Sequence, residues 1–207
     1  MGRGYGAPER AACDVRVRTL LRELLVRKQT VAFDIDGVLC DFTSGFTALA
    51  AELGLVKEGW SGYQQPAWNF NFHVDKVWEA ADAKPRFWYD LDTLTTKHER
   101  ELMHRMTADV NIVYVTARKD PGHAQTYMWL DKFGFPDGAV FFANDKLPLY
   151  QSMSGGLRWA IDDKPETIEA LHNAGLPVIT RHWPYNADSP GLHVPNIGEL
   201  MKAWEDD

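Results

Sequence analysis

Apolar and β-branched residues cluster in short unbroken runs along the chain, and the first clear one is Thr30-Val31-Ala32-Phe33-Asp34-Ile35. A run that is apolar at successive positions, without alternation, marks a strand buried on both faces. Similar runs recur at Asn111 to Thr116, Ala139 to Phe142, Leu157 to Ile161 and Pro177 to Thr180. Helical patterns lie between the later ones: Ala124 to Phe133, then Pro165 to Asn173, where Pro165 suits a first turn and Gly175 a C-terminal cap. Another helix, over about 14–27, precedes the first strand and follows a tail over 1–13 rich in glycine and charge, read as flexible. Strands alternating with helices predict an α/β fold, a Rossmann-like parallel sheet with helices on both faces.

The stretch from Asp41 to about Leu94 breaks this rhythm. It holds no convincing buried strand, and residues 60–89 carry nine aromatic side chains, among them Trp60, Tyr63, Trp68, Trp78, Phe87 and Trp88. It reads as a small, mostly helical cap over 42–94, inserted after the first strand. The α/β core then comprises 14–41 and 95–207, and a helix from Lys97 to about Ala108 returns the chain to it.

At 207 residues, 25% charged and 45% hydrophobic, one main domain with an insertion can bury a core without disulfides or structural metal. Cys13 and Cys40 show neither CxxC pairing nor zinc spacing, so a reducing, cytoplasmic location is expected. No apolar run approaches a membrane span, so no membrane partner is expected. The net charge of −7 argues against duplex nucleic acid, whose phosphates need a positive surface. The basic groups concentrated in residues 1–28 read as the solvated face of an amphipathic helix that packs through Val15, Leu20, Leu21, Leu24 and Leu25.

The sharpest chemical signal is Phe33-Asp34-Ile35-Asp36-Gly37-Val38-Leu39, two carboxylates where a buried strand runs into a glycine turn. Ligands of open α/β sheets bind beyond the carboxyl ends of the strands, and a second pair, Asp162-Asp163, ends a later strand. Four acidic groups converging there would repel one another, and a hard divalent cation with oxygen ligands relieves that repulsion. Two more strand ends supply a hydroxyl and cations, in Thr116-Ala117-Arg118 and Asn144-Asp145-Lys146. These are the parts needed to hold a phosphoryl group.

With Asp34-Ile35-Asp36-Gly37, Thr116, Lys146 and Asp162-Asp163 in this order, the chain resembles the haloacid dehalogenase superfamily. Through Phe33 to Phe42, Asn144-Asp145-Lys146, Ile161 to Lys164 and Pro184-Tyr185-Asn186 it is similar to the 5'(3')-deoxyribonucleotidases. The resemblance implies a phosphomonoesterase acting on a small nucleotide, with Asp34 as nucleophile and Asp36 as general acid and base. It implies Mg²⁺ held by Asp34, the Asp36 backbone carbonyl and one of the second pair, with Asp163 favoured as direct ligand and Asp162 behind it. Thr116 and Lys146 would bind the transferring oxygens, and the Gly37 amide would be free to point at the phosphate. Phe42, Phe87 and Trp88 match aromatic positions of that family and would stack on a base. The chain departs from the mammalian enzymes in having Ala117-Arg118 where they carry Ser-Pro. Arg118 then either contacts substrate beside Ala117 or pairs with Asp145 or Asp120. The resemblance also suggests a homodimer. The alternatives are a phosphatase for another small ester or a polynucleotide 3'-phosphate, and a catalytically silent nucleotide-binding module.

Overall fold

The computed structural model describes residues 28–57, 60–65 and 73–205; the expected tail and the helix over 14–27 lie outside them. Six strands form one sheet: β1 (Gln29–Asp34), β2 (Val110–Thr116), β3 (Ala139–Phe142), β4 (Leu157–Asp162), β5 (Val178–Arg181) and β6 (Leu192–Val194). Their order is β3-β2-β1-β4-β5-β6, and every pairing is parallel. The chain steps outward from β1 through β2 to β3, then returns to the other side of β1 with β4. The reversal falls between β1 and β4, and a crevice opens at their carboxyl ends.

Period-two alternation explains the two apolar layers. Val31 and Phe33 of β1, with Ile112 and Tyr114 of β2, face one cluster, and Ala32, Val113 and Val115 face the other. The first layer takes in α4 (Lys97–Met106), α5 (Gly122–Phe133) and α8 (Ile197–Glu205) through Met103, Trp129 and Met201. The second is covered by α6 (Leu147–Met153) and α7 (Pro165–Asn173) through Tyr150, Met153, Ile168 and Leu171. The α4 start carries a capping box, in which Glu99 N donates to Thr96 Oγ1 at 3.2 Å and Thr96 N to Glu99 Oε2 at 2.6 Å. Pro165 opens α7, as its fixed φ favours.

Between β1 and α4 the chain makes an excursion through α1 (Phe42–Glu52), a 3₁₀ turn (Gly62–Gln64), α2 (Val74–Ala83) and the single turn α3 (Phe87–Asp90). Its two ends lie side by side. Asp41 N donates to Asp92 O at 2.9 Å and Leu94 N to Leu39 O at 2.8 Å, around a bridge between Cys40 and Thr93. The aromatics expected to roof the site pack here. Phe42 stacks on Trp78 and Trp88 with ring centroids 5.3 and 5.7 Å apart, and α3 packs on α5 of the core. No helix among the described residues is long and apolar enough to cross a membrane.

Candidate active site

Asp34 ends β1 and is buried, and its Oδ1 accepts from the Ile35 amide at 2.7 Å and the Lys146 ammonium at 2.8 Å. Lys146 stands just ahead of α6 and also donates to Asp162 Oδ2 at 2.8 Å. Asp162 ends β4 with no exposed surface; its other oxygen accepts the Lys164 amide at 2.9 Å. Asp163, one residue on, faces the cavity and accepts from the Tyr185 hydroxyl. Asn186 locks this turn from behind, its Nδ2 donating to Asp163 O and Arg181 O, each at 2.8 Å.

Asp34, Asp162 and Asp163 each offer an oxygen within 4.8 Å of the others. Burial and mutual repulsion shift the proton affinities of Asp34 and Asp163. Burial pushes Asp34 well above the usual carboxylate range, only partly opposed by Lys146. Burial likewise raises Asp163 to about 7, with the neighbouring Asp162 charge adding to the shift. Burial alone would depress the Lys146 ammonium, but the Asp162 and Asp34 charges outweigh it and hold it well above the usual lysine value. Ionised together, the three carboxylates would exceed the one ammonium by two negative charges, so this donor set fits a hard divalent cation that can replace the protons.

Gly37 has a φ of +80°, and a Cβ there would lie 2.1 Å from Asp163 Oδ2. The glycine therefore admits both the left-handed turn and the close approach of Asp163. The expectation of a free Gly37 amide is corrected: that amide donates to Cys40 O at 3.0 Å, closing the turn after β1. The Gly37 carbonyl accepts from Trp183 Nε1 at 2.8 Å, and Trp183 stacks on Tyr63 of the insertion at 3.9 Å.

Asp36 leans the other way. Thr116 Oγ1 donates to its Oδ2 at 3.2 Å, and the Arg118 guanidinium grips both its oxygens, closest at 2.7 Å. The expected partners of Arg118, Asp145 and Asp120, are thus replaced by Asp36. Sequence distance hides the pairing, which arises because β1 and β2 are adjacent and end together.

A cavity of about 610 Å³ joins these groups. Of the expected site residues, Asp34, Asp36, Gly37, Lys146 and Asp163 line its floor, Ala117 and Arg118 one side, and Phe42 and Trp88 the insertion side. Thr116 and Asp162 are buried just behind. Phe87 does not reach the cavity: it is 6% exposed and packs edge-on against Trp88, so its expected stacking on substrate is corrected to a supporting contact. The sequence reading does not single out the α2 face, where Asp75, Trp78, Glu79 and Asp82 all look into the cavity, nor Lys119 and Thr167 opposite. The i, i+3, i+4, i+7 spacing of that face was a readable signal.

Solved structures share this fold. A haloacid dehalogenase-like hydrolase from Burkholderia xenovorans LB400 is similar at 15% identity with a TM-score of 0.57, the match covering 87% of this chain and 98% of that one. A haloacid dehalogenase-like family protein from Streptococcus pneumoniae matches at 14% identity, TM-score 0.57, over 86% and 98% of the two chains. No curated protein matches by sequence. Sheet order, insertion and strand-end carboxylates together give the chain the fold of haloacid dehalogenase-like hydrolases. Within that class, the sequence profile described as "5' nucleotidase, deoxy (Pyrimidine), cytosolic type C protein" matches residues 28–194. The chain belongs to that family and is a phosphatase.

Proposed function

We propose that the chain hydrolyses deoxyribo- or ribonucleoside monophosphates to nucleoside and phosphate through an aspartyl-phosphate on Asp34, with Mg²⁺ as cofactor. The observation that carries this reading is a shared cavity in which Asp34, Lys146 and Asp163 face an aromatic wall of Phe42, Trp78 and Trp88.

Asp34 attacks phosphorus as the bond to the sugar oxygen breaks, and Asp36 gives that oxygen its proton. Asp36, now a carboxylate, takes a proton from the water that attacks the phosphoryl-Asp34, releasing phosphate and restoring both groups. Lys146, 2.8 Å from Asp34, offsets charge on the transferring oxygens, where phosphoryl transfer needs it. Thr116 steadies the Asp36 carboxylate through its hydroxyl. Asp34, Asp163 and the Asp36 carbonyl would hold Mg²⁺, with Asp162 tied back by Lys146 and Lys164. The ion supplies charge neutralisation at the phosphoryl oxygens. Flat rings suit a nucleobase and exclude water from the floor. The carboxylates of Asp75, Glu79 and Asp82 on the same wall repel a polyanion, which favours a mononucleotide over a polynucleotide end. The cytoplasmic location and the homodimer stay with this reading as properties to be measured by fractionation and sedimentation.

The test is phosphate release from a panel of 5'- and 3'-nucleotides, sugar phosphates and an aryl phosphate, with Mg²⁺ and with chelator, for the native chain and Asp34→Asn. Metal-dependent release confined to nucleoside monophosphates, absent in a folded Asp34→Asn protein, is expected. Cleavage of only the other esters would discard the nucleotide. Retained turnover in Asp34→Asn would sink the nucleophile, and tight nucleotide binding without release would make the chain a binding module.

A further inference from the structure

Arg118 follows β2, and its side chain has no exposed surface, whereas that of Asp36 keeps 21%. Its guanidinium is gripped on all sides. Nε donates to Asp36 Oδ2 at 2.9 Å and Nη2 to Asp36 Oδ1 at 2.7 Å, a two-point fork on one carboxylate. Nη2 also reaches Cys40 Sγ at 3.1 Å, and Nη1 donates to Thr126 Oγ1 at 3.2 Å. Its Cζ also lies over the rings of Trp88 of α3 and Trp129 of α5, 4.9 and 5.7 Å from their centroids.

Burying a guanidinium is costly unless a carboxylate answers it, and removing either partner is costlier still. A fork also fixes the plane and direction of the carboxylate, which a lysine ammonium does not. Thr126 and the two tryptophans hold the fork itself, so the Asp36 rotamer is set from behind, by Thr126 and Trp129 away from the cavity and by Trp88 in its wall.

We propose that Arg118 is a positioning residue: its fork aims the Asp36 carboxyl at the leaving oxygen, and it binds no part of the substrate. This rests on the reading of Asp36 as the general acid. The predicted signature is dependence on the leaving group. A nucleoside leaves as a poor, strongly basic alkoxide that needs the Asp36 proton while the Asp34 oxygen-to-phosphorus bond forms. A nitrophenolate leaves well without one, so misaiming Asp36 costs it little.

The experiment measures kcat/KM, which ends at departure of the leaving group, for a deoxynucleoside 5'-monophosphate and for 4-nitrophenyl phosphate in native protein, Arg118→Lys, Thr126→Val and Asp36→Asn. Thermal unfolding of each variant monitors folding. Arg118→Lys should lose roughly 10²-fold on the nucleotide and no more than about threefold on the aryl ester, since a positioned acid is worth at least that much. Thr126→Val, which loosens the fork without altering any charge, should show the same selectivity at about tenfold, and it carries the test if Arg118→Lys does not fold. Equal losses on both esters would make Arg118 a phosphate-binding or purely structural residue. Unchanged rates on both would show that the fork does not aim the acid. If Asp36→Asn itself slows both esters alike, the general-acid reading falls and takes this proposal with it. If only Asp36→Asn is selective, the positioning role alone falls.

Discussion

Replacing Lys146 by methionine keeps the length of the side chain and removes the ammonium from between Asp34 and Asp162, each 2.8 Å away. The three side chains are 5%, 7% and 0% exposed, so little water can take its place, least of all beside Asp162. Deleting one partner of a buried pair costs about 3–5 kcal/mol. The carboxylates have one escape, which is to take up a proton. Protonating a carboxyl with an unfolded pKa near 3.9 costs at most about 4 kcal/mol at pH 7, which caps this route, and the cost is smaller for Asp34, which burial already raises in the native protein. For a chain of this size the loss lowers the melting temperature by roughly 10 °C. The sign of the pH dependence follows. In the variant the folded carboxyl pKa is raised above its unfolded value, so the deficit is complete above the folded pKa and fades as pH falls. At pH 5 the escape route costs at most about 1.5 kcal/mol, and the deficit should shrink to that or below. Denaturant unfolding of the native protein and Lys146→Met, with chelator, at pH 7 and pH 5 measures both numbers. Mg²⁺ should stabilise the variant more than the native protein, because more uncompensated charge awaits it. A deficit under about 1 kcal/mol at pH 7, far below the cost of an unpaired buried charge, would refute the argument. So would a deficit that does not shrink on acidification.

Gly37→Ala would place a methyl group 2.1 Å from Asp163 Oδ2 at a φ of +80°. Asp163 must move, and the apparent Mg²⁺ affinity, read by calorimetric titration, should fall about 10- to 100-fold with the fold intact. Trp78, 40% exposed and stacked on Phe42, should contribute base stacking. Trp78→Ala should lower kcat/KM for a nucleotide about tenfold or more and leave that for methyl phosphate unchanged. Because Asp163 is raised to about 7, cation and proton compete for it. Mg²⁺ affinity should weaken as pH falls through that value, by up to about tenfold per unit for each ligand carboxyl that must lose a proton, the raised Asp34 included, and a flat profile from pH 5.5 to 8.5 would contradict the assignment.

What the residue order decides on its own is local. The unbroken apolar runs determine which segments are strands, because a strand covered on both faces needs an apolar residue at every position. Pro165 and Gly175 bound α7, since a fixed φ opens a helix and Gly175, at a φ of +70°, ends one. Asp34, Asp36, Thr116, Lys146 and the Asp162-Asp163 pair are legible because each sits just where such a run stops. The three-residue β6 and the short α6 show too little periodicity to be read, and α8 escapes the reading as well. The sheet order, the grip of Arg118 on Asp36, the approach of Asp163 to Gly37 and the turning of Phe87 away from the cavity belong to the tertiary structure alone. Each joins residues from different elements, and which side chains meet there depends on how strands β1, β2 and β4 stand side by side and where they end together. That register is a property of the packed sheet, and neighbouring residues in the chain carry no record of it.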